Sequence, residues 1–265
     1  MTSARMSTLA TLRKDVERIE AHGGASAPDR VALGHAACDA ALHGGLVRGA
    51  VHEVFAQTGR QSAAATGFVA GLAARVVARR PLVWVRQDFS EREAGALSMS
   101  GLAELGIDCC LVSVRAPDAD SALRTTADVL ACDALGAVVL EVWGDVRQLD
   151  LVASRKLTLA AQASGVTALL LRLAASPQPS TAETRWIVRA AHSPPAAHWH
   201  GWGTPIFDAN LVRNRHGLTG RWIMEWTCDE CLFTDRAADP QPVDAAPAHR
   251  PHQTETRVGE RRRAG

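Results

Sequence analysis

Gly59-Arg60-Gln61-Ser62-Ala63 lies between a short apolar run, Val51–Phe55, and an apolar stretch of helical length, Ala64–Ala78. Strand, small-residue turn and helix, in that order, make the frame in which backbone N–H groups wrap phosphates. The chemistry of such a cradle also needs a lysine bridging the outer phosphates and a Ser or Thr hydroxyl on magnesium. Across Ala56, Gln57, Thr58, Gly59, Arg60, Gln61, Ser62 and Ala63 there is one glycine and one cation. The cation is Arg60, whose flat, bulky head does not replace a lysine point charge in a tight turn. The chain's two lysines, Lys14 and Lys156, lie far away in sequence. The frame therefore reads as a degenerate phosphate loop, with no catalytic residue and no cofactor expected.

Other residues of chemical interest are weaker. Glu141 closes the apolar run Ala137–Leu140, where a magnesium-organising acid would sit at a strand end; its ordinary role is to cap the solvent edge of the sheet. Asp88, Glu91 and Glu93 follow another apolar run and read as a solvated, helix-capping acidic loop. Ser62 and Ser90 lack a recognisable elbow, and the chain has no G-x-S-x-G. Cys228-Asp229-Glu230-Cys231 is a lone C-x-x-C, with His192, His198 and His200 irregularly spaced upstream; a structural zinc wants four regularly placed ligands, so no metal is expected. Arg185, Trp186, Arg213, Arg215, Arg221 and Trp222 interleave cations with aromatics, the pattern that grips single-stranded nucleic acid. Their ordinary role in alternating strands is Trp inward and Arg in water. They are kept as a candidate DNA or partner surface, with any DNA binding expected to be weak.

Alternating elements must position these residues. Leu82–Val85, Cys110–Val114, Ala137–Val142 and Ala168–Leu173 are further apolar strands, separated by helices around Gly95–Leu105, Asp118–Ala131 and Leu149–Ala163. Strands without hydrophobic alternation imply a mainly parallel sheet with helices on both faces. Thr184–Ala191, Phe207–Arg213 and Arg221–Thr227 do alternate and read as half-exposed antiparallel strands extending that α/β sheet at its C-terminal side. Leu9, Leu12, Val16 and Ile19 recur at helical spacing among charges, giving an amphipathic N-terminal helix that is a candidate docking helix. Residues 1–27 are thus read as helix and linker, 28–235 as one α/β domain, and 236–265, rich in Pro, Ala, Asp, His and Arg, as a disordered tail. The net charge of +1 is indifferent to nucleic acid, and the apolar runs are too short to span a bilayer. A cytoplasmic protein is expected.

The order of elements, with Val51-His52-Glu53-Val54-Phe55 ahead of the turn, resembles a RecA-type ATPase core. A closer resemblance is to the ImuA family of bacterial damage-induced mutagenesis cassettes. It is carried by Gly44-Gly45-Leu46-Val47-Arg48-Gly49-Ala50-Val51-His52-Glu53-Val54, Trp84-Val85-Arg86-Gln87, Glu183-Thr184-Arg185-Trp186 and Gly217-Leu218-Thr219-Gly220-Arg221-Trp222-Ile223-Met224-Glu225-Trp226. Carried over without a gap from Val54, the RecA-type loop glycine falls on Gln61, the phosphate-binding lysine on Ser62 and the threonine on Ala63. The water-activating acid falls on Gln87, and only the acid of the Walker B-like strand is kept, as Glu141. The resemblance implies a non-catalytic accessory protein of SOS-induced, error-prone translesion synthesis. Its implied partners are an ImuB-like Y-family pseudo-polymerase, RecA and an error-prone C-family DNA polymerase. An unorthodox DNA-dependent ATPase using Arg60 and Glu141, or a regulator that caps RecA filaments, are the alternatives.

Overall fold

The computed structural model describes residues 28–194 and 203–236. Nine strands form one sheet: β3 (Val51–Ala56), β4 (Leu82–Gln87), β5 (Leu111–Ala116), β6 (Ala137–Trp143), β7 (Thr167–Leu173), β8 (Thr184–Ala190), β9 (Ile206–Asn214), β10 (Gly220–Thr227) and β11 (Leu232–Asp235). Their spatial order is β11-β10-β9-β8-β3-β7-β6-β4-β5. A separate two-stranded ribbon pairs β1 (Arg30–Val31) with β2 (Leu46–Val47), and a short helix α1 (Ala36–Ala41) lies between them in the chain.

The helices are α2 (Ser62–Val76), α3 (Asp88–Ala94), α4 (Met99–Glu104), α5 (Ala119–Leu130) and α6 (Leu151–Ser164). They split the core into two layers. On one face α2, α4 and the antiparallel strands pack Phe68, Leu72, Trp84, Trp186, Trp226 and Phe233. On the other, α5 and α6 cover Val85, Leu140, Val142 and Leu170. Sheet residues buried on both sides are mostly apolar at successive positions; β3, β6 and β7 are each buried along at least six consecutive residues, and the polar or charged His52, Glu53, Glu141, Thr167 and Arg172 among them need partners. The helix starts of α5 and α6 are fixed by Asp118, accepting from the Ser121 N–H at 2.7 Å, and by Asp150, accepting from the Ala153 N–H at 2.8 Å. Gly165 ends α6 in the left-handed region, φ 74°.

The expected α/β class, parallel sheet and C-terminal antiparallel extension are all present. Three details differ. Thr184–Ala190 is not a half-exposed antiparallel strand: it runs parallel to β3 and antiparallel only to β9, so it joins the two halves and is largely buried. The acidic segment after β4 is not a loop but helix α3, with Asp88 and Glu91 in its first turn. Helix α1 and strand β11 were not expected from the sequence; both are short, and β11 has too few residues to show a period. The stripe Leu9, Leu12, Val16 and Ile19, together with His198, His200 and the tail from residue 237, lies outside the described residues.

Candidate functional site: a closed phosphate-loop frame

The turn after β3 is built as the frame requires and then shut. Thr58 is extended, Gly59–Gln61 form a single 3-10 turn, and α2 starts directly at Ser62. The two amide side chains of the turn are both used to tie it to the end of β8. Gln61 Oε1 accepts from the Ala190 N–H at 2.7 Å, and Gln57 Oε1 accepts from Arg189 Nη2 at 3.1 Å. The Trp143 indole, at the end of β6, packs on Gly59: a Cβ placed there would lie 2.9 Å from the ring. Phe89 of α3 meets that indole edge-on at 6.5 Å between centroids. Gln87, at the end of β4, accepts from the Trp143 N–H at 3.3 Å and so helps hold the same residue. Arg60 is exposed, and Lys156 sits on α6.

Glu141 is neither at a solvent edge nor open to a metal ion. It is 0% exposed, and its carboxylate accepts from Arg86 Nε at 2.9 Å, Arg86 Nη2 at 2.8 Å and Trp84 Nε1 at 2.9 Å. Arg86 faces it across neighbouring parallel strands in register, giving the two-pronged guanidinium–carboxylate pairing that Arg favours. Arg86 Nη2 also donates to the Gly95 carbonyl at 3.0 Å, pinning the end of α3. A buried charge pair of this kind is a structural lock.

A second polar set, not anticipated from the sequence, lies at the junction of β3 and β8. Glu53 and Arg185 form a buried ion pair, 2.7 Å from Oε2 to Nε, and Ser180 Oγ donates to the same carboxylate oxygen at 2.9 Å. Arg185 Nη2 donates to the Gln178 carbonyl and to Ser180 Oγ. His52 Nε2 is 2.8 Å from the Val47 carbonyl, so it carries the proton, and Nδ1 accepts from Thr184 Oγ1 at 2.8 Å. Burial pulls the His52 pKa down from 6.5 to about 4. Arg172 is also buried, its guanidinium 5.5 Å from the Phe55 ring centre; its Nε and Nη2 have no hydrogen-bond acceptor among the described residues. The signal that could have found this set is His52-Glu53 inside an otherwise apolar run: charge in a buried strand demands partners.

These contacts also answer where the Arg and Trp residues stand. Trp186 is 0% exposed, and Arg185 is held on Glu53, so neither faces a surface. Trp222 is half-buried against the core, at 6.2 Å from Trp186. Arg213 donates to the Ser180 carbonyl at 2.6 Å, and Arg221 makes a two-pronged pair with Asp208. Arg215 is exposed. The six residues are not one cationic–aromatic strip. The segment 174–183 is likewise anchored: Ser176 N–H donates to Asp145 and Thr181 N–H to Ser154 Oγ. Cys228 and Cys231 flank the β10–β11 turn half-buried, where burial raises the Cys228 thiol pKa. Among the described residues no three His, Cys, Asp or Glu side chains gather as a metal site, and no helix is long and apolar enough to cross a membrane.

Over 200 residues the chain is 30% identical to Protein ImuA from two strains of Caulobacter vibrioides, an alignment covering 69% of this chain and 77% of theirs. The chain belongs to the ImuA family. No protein-family model matches it.

Proposed function

We propose that this chain is a non-catalytic RecA-like accessory protein of SOS-induced, error-prone translesion DNA synthesis, working in the cytoplasm. On this reading it belongs to the mutagenesis system that the ImuA name denotes. It docks on an ImuB-like pseudo-polymerase, on RecA and on the mutagenic C-family polymerase. Residues 28–235 are the docking body, residues 1–27 a docking arm and residues 236–265 a tail. The observation that carries the reading is the turn at Gly59. Ser62 and Ala63 stand where a lysine and a threonine are needed, and the Trp143 indole rests on the one glycine. An anion there would meet an aromatic roof instead of a phosphate-bridging ammonium. The ion-paired Arg185 and Arg221 support protein docking over a dedicated DNA groove.

The test is co-purification with RecA, ImuB and the polymerase, alongside ATP turnover with and without single-stranded DNA. Retention of ImuB or RecA with turnover at background is the expected result, with capture weakened by deletion of residues 1–24. Sustained turnover that Arg60→Ala abolishes would replace the adaptor with an unorthodox ATPase. Shortened RecA filaments without retention on ImuB or the polymerase would replace it with a filament cap.

A further inference from the structure

One positive charge inside the sheet lacks a counterpart. Glu53 and Phe55 are two residues apart on β3, so they share a face. Phe55 is in register with Arg172 of β7, and Glu53 with Arg185 of β8, which brings both arginines to that same face. On its other flank Arg172 is in register with Val142 of β6, a buried residue of the layer under α5 and α6. Its strand neighbours are thus apolar on both sides. Segment 174–183 crosses this face, since Ser180 Oγ donates to Glu53 and the Gln178 carbonyl accepts from Arg185. Arg172 itself is 2% exposed.

The two arginines differ in what they hold. Both guanidiniums lie on the Phe55 ring, their Cζ atoms 5.5 Å from its centre for Arg172 and 5.7 Å for Arg185. Arg185 donates to Glu53, to Ser180 Oγ and to the Gln178 carbonyl. Arg172 Nε and Nη2 are buried and have no acceptor among the described residues. These two nitrogens form one edge of the guanidinium, the fork that matches two oxygens of a single oxyanion. Arg86 and Arg221 present that same edge to Glu141 and Asp208. Two carboxylates act on Arg172 from a distance. Glu53 is already taken by Arg185 and Ser180, and the exposed Asp145 accepts from the Ser176 N–H at 3.1 Å. Burial pulls the Arg172 pKa down, yet a guanidinium keeps its proton near neutral pH, so the charge cannot be shed. Two guanidiniums against one buried carboxylate leave this face net positive, and a buried charge needs a partner.

We infer that Arg172, on the Phe55 ring and beside segment 174–183, is the binding residue of a small-oxyanion site, its Nε and Nη2 taking two oxygens of a phosphate or of a free carboxylate. The site is independent of which partner the protein serves. Its enclosure admits a small ion and excludes a polymer strand. Thermal unfolding of the full-length protein, followed against inorganic phosphate and separately against acetate, tests it, with chloride at matched ionic strength as the reference. A saturable rise of the midpoint is expected with one of the two anions, by about 3–6 °C at ten times its dissociation constant; which anion gives it identifies the source the site takes. Arg172→Met should abolish that rise. Should Arg172→Met fail to fold, Arg172→Lys, which keeps the charge and loses the fork, should weaken the apparent affinity at least fivefold. No saturable rise with either anion, or a rise that the folded variants keep in full, would overturn the inference, because phosphate also strengthens burial generally and without saturation.

Discussion

Glu141 shows how far one residue's role depends on its partners. On sequence position it is the acid of a Walker B-like strand; in the structure its carboxylate accepts three hydrogen bonds from Trp84 and Arg86 and reaches no solvent. Removing its charge leaves the Arg86 guanidinium buried with one prong lost, a change that costs about 3–5 kcal/mol. Glu141→Gln is therefore expected to lower the urea midpoint sharply while ATP turnover stays at background before and after. A variant as stable as its parent, or one whose loss is confined to a measured turnover, would return Glu141 to the chemistry. The residue was legible as special from sequence, since an acid ends an apolar run. Its partner was not, because Arg86 comes from a neighbouring strand and only the register of β4 on β6 brings the two together.

At the scale of elements, α2 is held from both sides. One side lies on the parallel sheet, and the other is wrapped by the β10–β11 hairpin, whose Phe233 and Trp226 close over Gly71. This explains why the helix is apolar nearly all round, a pattern that read correctly as burial but did not reveal what did the burying. A Cβ at Gly71 would lie 2.7 Å from Phe233 and 3.0 Å from Trp226, both fully buried rings. Gly71→Ala should therefore destabilise by about 1–3 kcal/mol despite the better helix propensity of alanine. At Gly67 the nearest atoms, on Phe207, are 3.4 Å away, and Gly67→Ala should be neutral or mildly stabilising. Thermal unfolding of the two variants side by side checks the hairpin's grip; equal midpoints would contradict it. Parallel strands and their helices were legible because each is a continuous apolar run bounded by turn residues. The mode of β8 was not, because Arg185 and Thr184 look solvent-facing until Glu53 and His52 are placed beside them.

For the whole molecule, acid is the condition that should open the sheet. His52 is buried neutral between β2 and β8, with a pKa of about 4 against 6.5 in an ordinary setting. The unfolded chain thus binds a proton that the folded chain refuses between those values, so stability falls as pH drops from about 6.5 toward 4 and this group adds no further loss below. A displacement of that size corresponds to about 3 kcal/mol. Chemical denaturation at pH 7 and pH 4.5 should show this decline, and His52→Asn should flatten it while lowering stability at pH 7. An unchanged slope in the variant would place the acid sensitivity elsewhere. Family and fold class could be read ahead of the coordinates from motif order and apolar periodicity. The packing of Trp143 on the turn after β3 could not: Trp143 is 84 positions beyond Gly59, and nothing local in either segment announces that they touch.

On the proposed non-catalytic reading, that contact makes nucleotide chemistry hard to install at this turn. Lysine and threonine placed at positions 62 and 63 would supply one charge and one hydroxyl beneath an indole already lodged against Gly59 and braced by Phe89 and Gln87. A working cradle there would need the bulky ring trimmed at the same time, so no single codon change would convert this scaffold into a motor.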